Sequence, residues 1–180
     1  MKAFIIHGTY GNSDENWFPW LKEQLEKERY QVFIPKFPTP EEQSLDNWKK
    51  VLNEYPDIDN NTILIGHSLG PAFILDILEK NKAKAAFFVS GFIGLLDNEK
   101  FDVINRSFTD RNFNWEAIKE NCPKFVMFHS NNDPYVPLKK AEELAQLLGI
   151  GVNVISDAGH FNKSSGYTTF PQLLETIRKV

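Results

Sequence analysis

Thr62-Ile63-Leu64-Ile65-Gly66-His67-Ser68-Leu69-Gly70-Pro71 is the stretch from which the rest of this 180-residue chain can be read. A short isoleucine-rich run meets a Gly66-x-Ser68-x-Gly70 pentad, and a stripe at helical spacing follows: Phe73, Ile74, Ile77 and Leu78. An apolar run this short, bounded by turn residues, suits a strand buried on both faces. A turn from strand straight into helix strains the central residue and leaves no room for bulk on either side. Glycines two before and two after meet that requirement. Pro71 suits a first helical turn, where a missing N–H is tolerated. With 10 glycines and 9 serines, chance would supply such a pentad about 0.03 times in this chain. The pattern is that of a nucleophile elbow presenting the Ser68 hydroxyl. The bland alternative is a glycine-rich helix start without chemistry.

Other short runs flank this one at regular distances: Ala3–Ile6, Val32–Ile34, Ala85–Val89, Phe125–Phe128 and Val152–Ile155. Together with Thr62–Ile65 they predict six strands. Between them lie amphipathic segments. Trp17, Leu21 and Leu25 form one, with Trp20 beside them. Leu45, Trp48 and Leu52 form another, with Thr39-Pro40-Glu41-Glu42 upstream as a capping box. Leu144, Leu147 and Leu148 mark a further helix, as do Phe170, Leu173, Leu174 and Ile177. Strands alternating with helices predict an α/β class protein, a three-layer α/β/α sandwich around a mainly parallel sheet. No repeat or linker divides residues 1–180, so one domain is expected. Ser90 to Asn114 breaks the rhythm and reads either as a short lid or pocket wall or as a plain surface insertion.

Composition narrows the function. Twenty basic and 24 acidic residues give a net charge of −4, with no basic block, which argues against nucleic acid or an anionic membrane as partner. No run approaches a membrane span or a signal-peptide core, so a reducing cytoplasm is the expected location. Cys122 cannot form an internal disulfide; it reads as a small buried side chain or, alternatively, a reactive thiol. The four histidines show no HxH, HxxxH or HExxH spacing, so no metal site is expected.

A serine needs a base, and the base an orienting acid. His67 adjoins Ser68 and should point away from it, while His7 and His129 end strands and suit supporting roles. His160, in Asp157-Ala158-Gly159-His160-Phe161 after the last strand, best fits the order Ser…Asp/Glu…His. Asp133, leaving the fifth strand, is the preferred acid, with Asp157, Asp97 and Asp102 as alternatives. Two backbone donors must face the developing oxyanion. Leu69 N–H supplies one, and the loop after the first strand the other, through Thr9 or, second, Tyr10. Trp17 and Phe18 could wall a substrate pocket with Tyr10, Phe92 and Phe161, or could simply be core.

His7-Gly8, Trp17-Phe18-Pro19-Trp20-Leu21, Gly66-His67-Ser68-Leu69-Gly70, Asp133-Pro134 and Gly159-His160-Phe161 together resemble the small α/β-hydrolases. The resemblance is to the retinoblastoma-binding-protein-9-like group of serine hydrolases and its bacterial YdeN-type branch, and it covers essentially the whole chain. It implies a minimal α/β-hydrolase fold with strand order 2-1-3-4-5-6 and a Ser68–His160–Asp133 triad. It further implies hydrolysis of small ester substrates, with amides as the alternative class, through an acyl-enzyme and without a cofactor. The Leu-x-Cys-x-Glu element tied to retinoblastoma-protein binding is absent around Cys122, so that partner is not expected. A non-catalytic binding module on the same scaffold is the rival reading.

Overall fold

Alternate residues of a strand face opposite sides of a sheet, so a strand covered on both faces must be apolar throughout. The computed structural model, which describes all 180 residues, shows how this chain uses the rule. Its strands are β1 (Lys2–Ile6), β2 (Gln31–Phe33), β3 (Thr62–His67), β4 (Ala85–Val89), β5 (Phe125–Ser130) and β6 (Val152–Ile155). All pair in parallel, in the order β2-β1-β3-β4-β5-β6. The helices are α1 (Phe18–Lys27), α2 (Leu45–Leu52), α3 (Gly70–Leu78), α4 (Glu99–Thr109), α5 (Trp115–Asn121), α6 (Leu138–Leu148) and α7 (Pro171–Ile177).

Two cores result, one on each face. Phe4, Ile6, Leu64, Ala86, Phe88 and Met127 enter the first, against α2, α3, α5 and α6. Ala3, Ile5, Ile63, Ile65, Phe87 and Phe128 enter the second, against α1 and α7. Trp48 of α2 stacks on Phe37 with centroids 4.5 Å apart and meets Phe108 of α4 edge-on at 4.8 Å. Buried Asp76 of α3 accepts from Lys49 Nζ at 2.9 Å and from Arg111, which also reaches Glu79 at 2.6 Å. The segment after α4 is thereby tied to α3. No helix is long and apolar enough to cross a membrane.

The structure differs from the sequence reading in three places. The Thr39-Pro40-Glu41-Glu42 capping box does not form. Instead Ser44 Oγ caps α2, accepting from Asn47 N–H at 3.2 Å, while Thr39 Oγ1 accepts from Tyr10 N–H at 2.8 Å. Leu147 is 38 % exposed, and Ala141, Leu144, Ala145 and Leu148 make the buried face of α6. The Ser90–Asn114 interval holds α4, whose Phe101, Ile104 and Phe108 recur at helical spacing on its inner side while Val103 is 72 % exposed.

His67 shares its strand face with Ile63 and Ile65. Its ring lies edge-on to Phe18 at 5.8 Å, and Nε2–H donates to the His160 carbonyl at 2.7 Å. Burial, reinforced by the charge His160 can carry, pushes the His67 imidazole down to about 3 from its ordinary 6.5. Burial lowers His7 and His129 as well. On acidification below 6.5 the unfolded chain takes up protons that the folded chain refuses, so stability should fall as pH drops toward 3. Urea unfolding across that window should show this slope, and His67→Gln, which keeps a donor but cannot titrate, should flatten it without abolishing it.

Candidate active site

Between β3 and α3, Ser68 sits at φ 59°, a left-handed conformation that side chains rarely adopt. The turn is too tight for substituents. A Cβ on Gly66 would lie 2.7 Å from Pro71 N, and one on Gly70 would strike the Ile6 carbonyl. Ser68 N–H donates to Val89 O at 2.9 Å, which pins the turn to the end of β4. Tyr10, Ser90, Asp157 and Phe161, also in loops at the carboxyl ends of strands, share positive φ values. Backbone strain of this kind concentrates where a site is assembled.

His160 lies on the loop after β6 and Asp133 on the loop after β5. His160 Nδ1–H donates to the Asp133 carboxylate, 2.8 Å from Oδ2 and 3.0 Å from Oδ1. Oδ1 also accepts from Tyr135 N–H at 2.9 Å and Val136 N–H at 3.0 Å. Burial alone would raise the Asp133 carboxyl, but His160 and these two amides outweigh it and hold the group below its ordinary value. The two loops are also stapled together. Asn132 Oδ1 accepts from Gly159 N–H at 2.8 Å, Ser130 Oγ from Ala158 N–H at 3.0 Å, and Asn131 Oδ1 from Asp157 N–H at 2.9 Å.

Ser68 and His160 border one cavity of about 260 Å³. Within the chain, Ser68 Oγ and His160 Nε2 make no hydrogen bond, to each other or elsewhere; such contacts often tighten only when substrate binds. Leu69 N–H and Thr9 N–H are likewise unengaged. Tyr10 N–H is not, being taken by Thr39 Oγ1, which separates the two alternatives for the second donor. The remaining histidines are committed elsewhere. His7 donates from Nδ1 to Gly8 O at 2.8 Å and accepts at Nε2 from Phe37 N–H at 3.1 Å. His129 donates from Nε2 to Val136 O at 2.9 Å. Asp157 and Asp97 are exposed, and Asp102 accepts from the Leu96 and Asn98 amides.

Tyr10 and Phe92 line the cavity as expected, but Trp17, Phe18 and Phe161 do not. All three are wholly buried in the core of the α1/α7 face, where Trp17 Nε1–H donates to Phe161 O at 3.0 Å. The Trp17 and Phe18 rings lie edge-on to His67, while Phe161 stacks on Phe170. Sequence reading missed Leu96, Phe101 and Asn105, which the 90–114 segment contributes, and Tyr135, beside the acid. Only the unexplained length of that segment signalled them. Glu15 also faces the cavity, its carboxyl raised mainly by burial. No three His, Cys, Asp or Glu side chains gather as a metal site would require. Cys122 is buried, and burial pushes its thiol up to about 11, which disfavours the nucleophilic thiolate.

Residues 3–179 match the family described as Serine hydrolase. The YdeN protein of Bacillus subtilis (strain 168) is 30 % identical over 182 residues, covering 98 % of this chain and 94 % of that protein. Serine hydrolase RBBP9 of Rattus norvegicus is 28 % identical, covering 99 % and 95 %. The crystal structure of the ydeN gene product matches with a TM-score of 0.89 at 30 % identity, over 99 % of this chain and 97 % of that one. The six-stranded sheet in its observed order is an α/β-hydrolase sheet. This chain belongs to the serine hydrolase family.

Proposed function

We propose that the chain hydrolyses small carboxylic esters, and amides less readily, through an acyl-enzyme on Ser68. One observation carries this reading above the others: a histidine locked to a buried carboxylate and a serine on a strained turn border the same cavity. Asp133 holds His160 with the proton on Nδ1, which leaves the Nε2 lone pair free to act as base. Ser68 Oγ attacks the carbonyl carbon as His160 takes its proton. The negative charge that develops on the carbonyl oxygen is met by Leu69 and Thr9 N–H, donors that the protein itself leaves unspent. His160 then gives its proton to the leaving oxygen, and a water activated by the same nitrogen releases the acid. No cofactor takes part in these steps.

A cavity of about 260 Å³ supports small substrates, since pockets for drug-sized molecules run from about 300 Å³ upward. Phe92, Leu96 and Phe101 offer it an apolar wall. The partner is accordingly a small molecule.

Ser68→Ala should lower esterase turnover by about 10³-fold or more and abolish fluorophosphonate labelling. Full activity in that variant would reassign the nucleophile. Asp133→Asn, which leaves the shape but unsettles the tautomer, should reduce kcat by about 10⁴-fold in a p-nitrophenyl acetate assay. Across p-nitrophenyl esters of rising chain length, kcat/KM should peak at short acyl groups and decline for long ones.

A further inference from the structure

Asn105 is 2 % exposed, yet it borders the cavity and plays no part in the steps above. Its amide orientation follows from its neighbours. Gln43 lies 3.2 Å from the Ile104 carbonyl, which can only accept, so the nearby Gln43 atom must be the donor Nε2. Thr39 Oγ1 at 2.5 Å supplies the donor that Gln43 Oε1 requires. The Asn105 atom 2.9 Å from Gln43 Nε2 is then an acceptor, Oδ1, and Thr9 Oγ1–H donates to it as well at 2.5 Å. Nδ2 is thereby fixed as the other end of the amide, and it has no acceptor within the chain. Asn105 Nδ2 is not fully enclosed, so its N–H is open to the cavity the side chain borders, where a ligand oxygen can take the place of water.

We propose that Asn105 selects substrates, its Nδ2–H donating to an acceptor oxygen placed a few bonds from the scissile carbonyl. This deepens the hydrolase reading and rests on it. The preferred substrates are small esters that are oxygenated near the carbonyl, such as ether, keto or hydroxy compounds, rather than plain alkyl esters. Thr9 Oγ1 bonds the Oδ1 end of Asn105, and Thr9, Ser68 and Asn105 line the same cavity.

Two pairs of nearly equal size test the assignment: p-nitrophenyl methoxyacetate against p-nitrophenyl butyrate, and 2-methoxyethyl acetate against butyl acetate. The readout is the ether-to-alkyl ratio of kcat/KM in wild type divided by that in Asn105→Asp, a quotient from which intrinsic ester reactivity cancels. Asp keeps an acceptor for Thr9 and Gln43 but loses the donor. The quotient should be about five- to tenfold in one pair, which also tells whether the acyl or the alcohol side carries the oxygen. Asn105→Ala, free of added charge, should move it in the same direction. Ratios unchanged in both pairs would overturn the proposal. An equal loss on ether and alkyl esters would also overturn it, by showing that Asn105 acts only through the Thr9 loop. A wild-type chain that neither labels with fluorophosphonate nor cleaves any of the four esters would instead sink the hydrolase reading itself.

Discussion

The reversal of the chain at Ser68 is the constraint on which the rest of the architecture depends. β3 lies between β1 and β4, so its end can neither spread sideways nor continue outward. The chain turns into α3 within two residues, and the serine takes up a conformation worth roughly 1–3 kcal/mol of strain. The offset comes from the elements on either side. β3 is buried along its whole length, and so is α3. A hydroxyl fixed in this way cannot relax into a low-energy turn without disturbing both cores.

The imidazole opposite is held differently, by polar contacts rather than packing. Asp133 grips its ring, His67 its carbonyl, and Asn132 the Gly159 amide just before it. His67 makes this bond from a neutral ring, and its burial against Trp17 and Phe18 keeps the ring neutral. The aromatic residues beside the first loop thus act on the site through a histidine rather than by touching substrate. Their influence is one of orientation.

That distinction marks where the sequence was readable. The central strands β1, β3 and β4 were legible as continuous buried apolar runs, the half-exposed edge strands β2 and β6 only as short β-branched runs between turn residues, and β3 announced its turn through Gly66 and Gly70. Ser68, Asp133 and His160 stood out by their places after strands, and the structure brings them to one edge of the sheet. Roles for Trp17, Phe18 and Phe161 were not legible, since an aromatic at helical spacing looks alike whether it faces a core or a cavity. α4 was overlooked although Phe101, Ile104 and Phe108 recur at helical spacing, because Asn105 interrupts the stripe and the flanking apolar residues look scattered. The bond from Thr9 to Asn105 joins residues 96 positions apart, which no local pattern foretells.

That bond has a consequence for how such a protein can diversify. α4 supplies part of the wall that a substrate meets and also steadies the loop bearing the Thr9 amide. Replacing Asn105 would reshape the cavity and release the Thr9 loop in one step. Diversification at that position therefore calls for matching changes at Gln43 and Thr9, its two bonded partners.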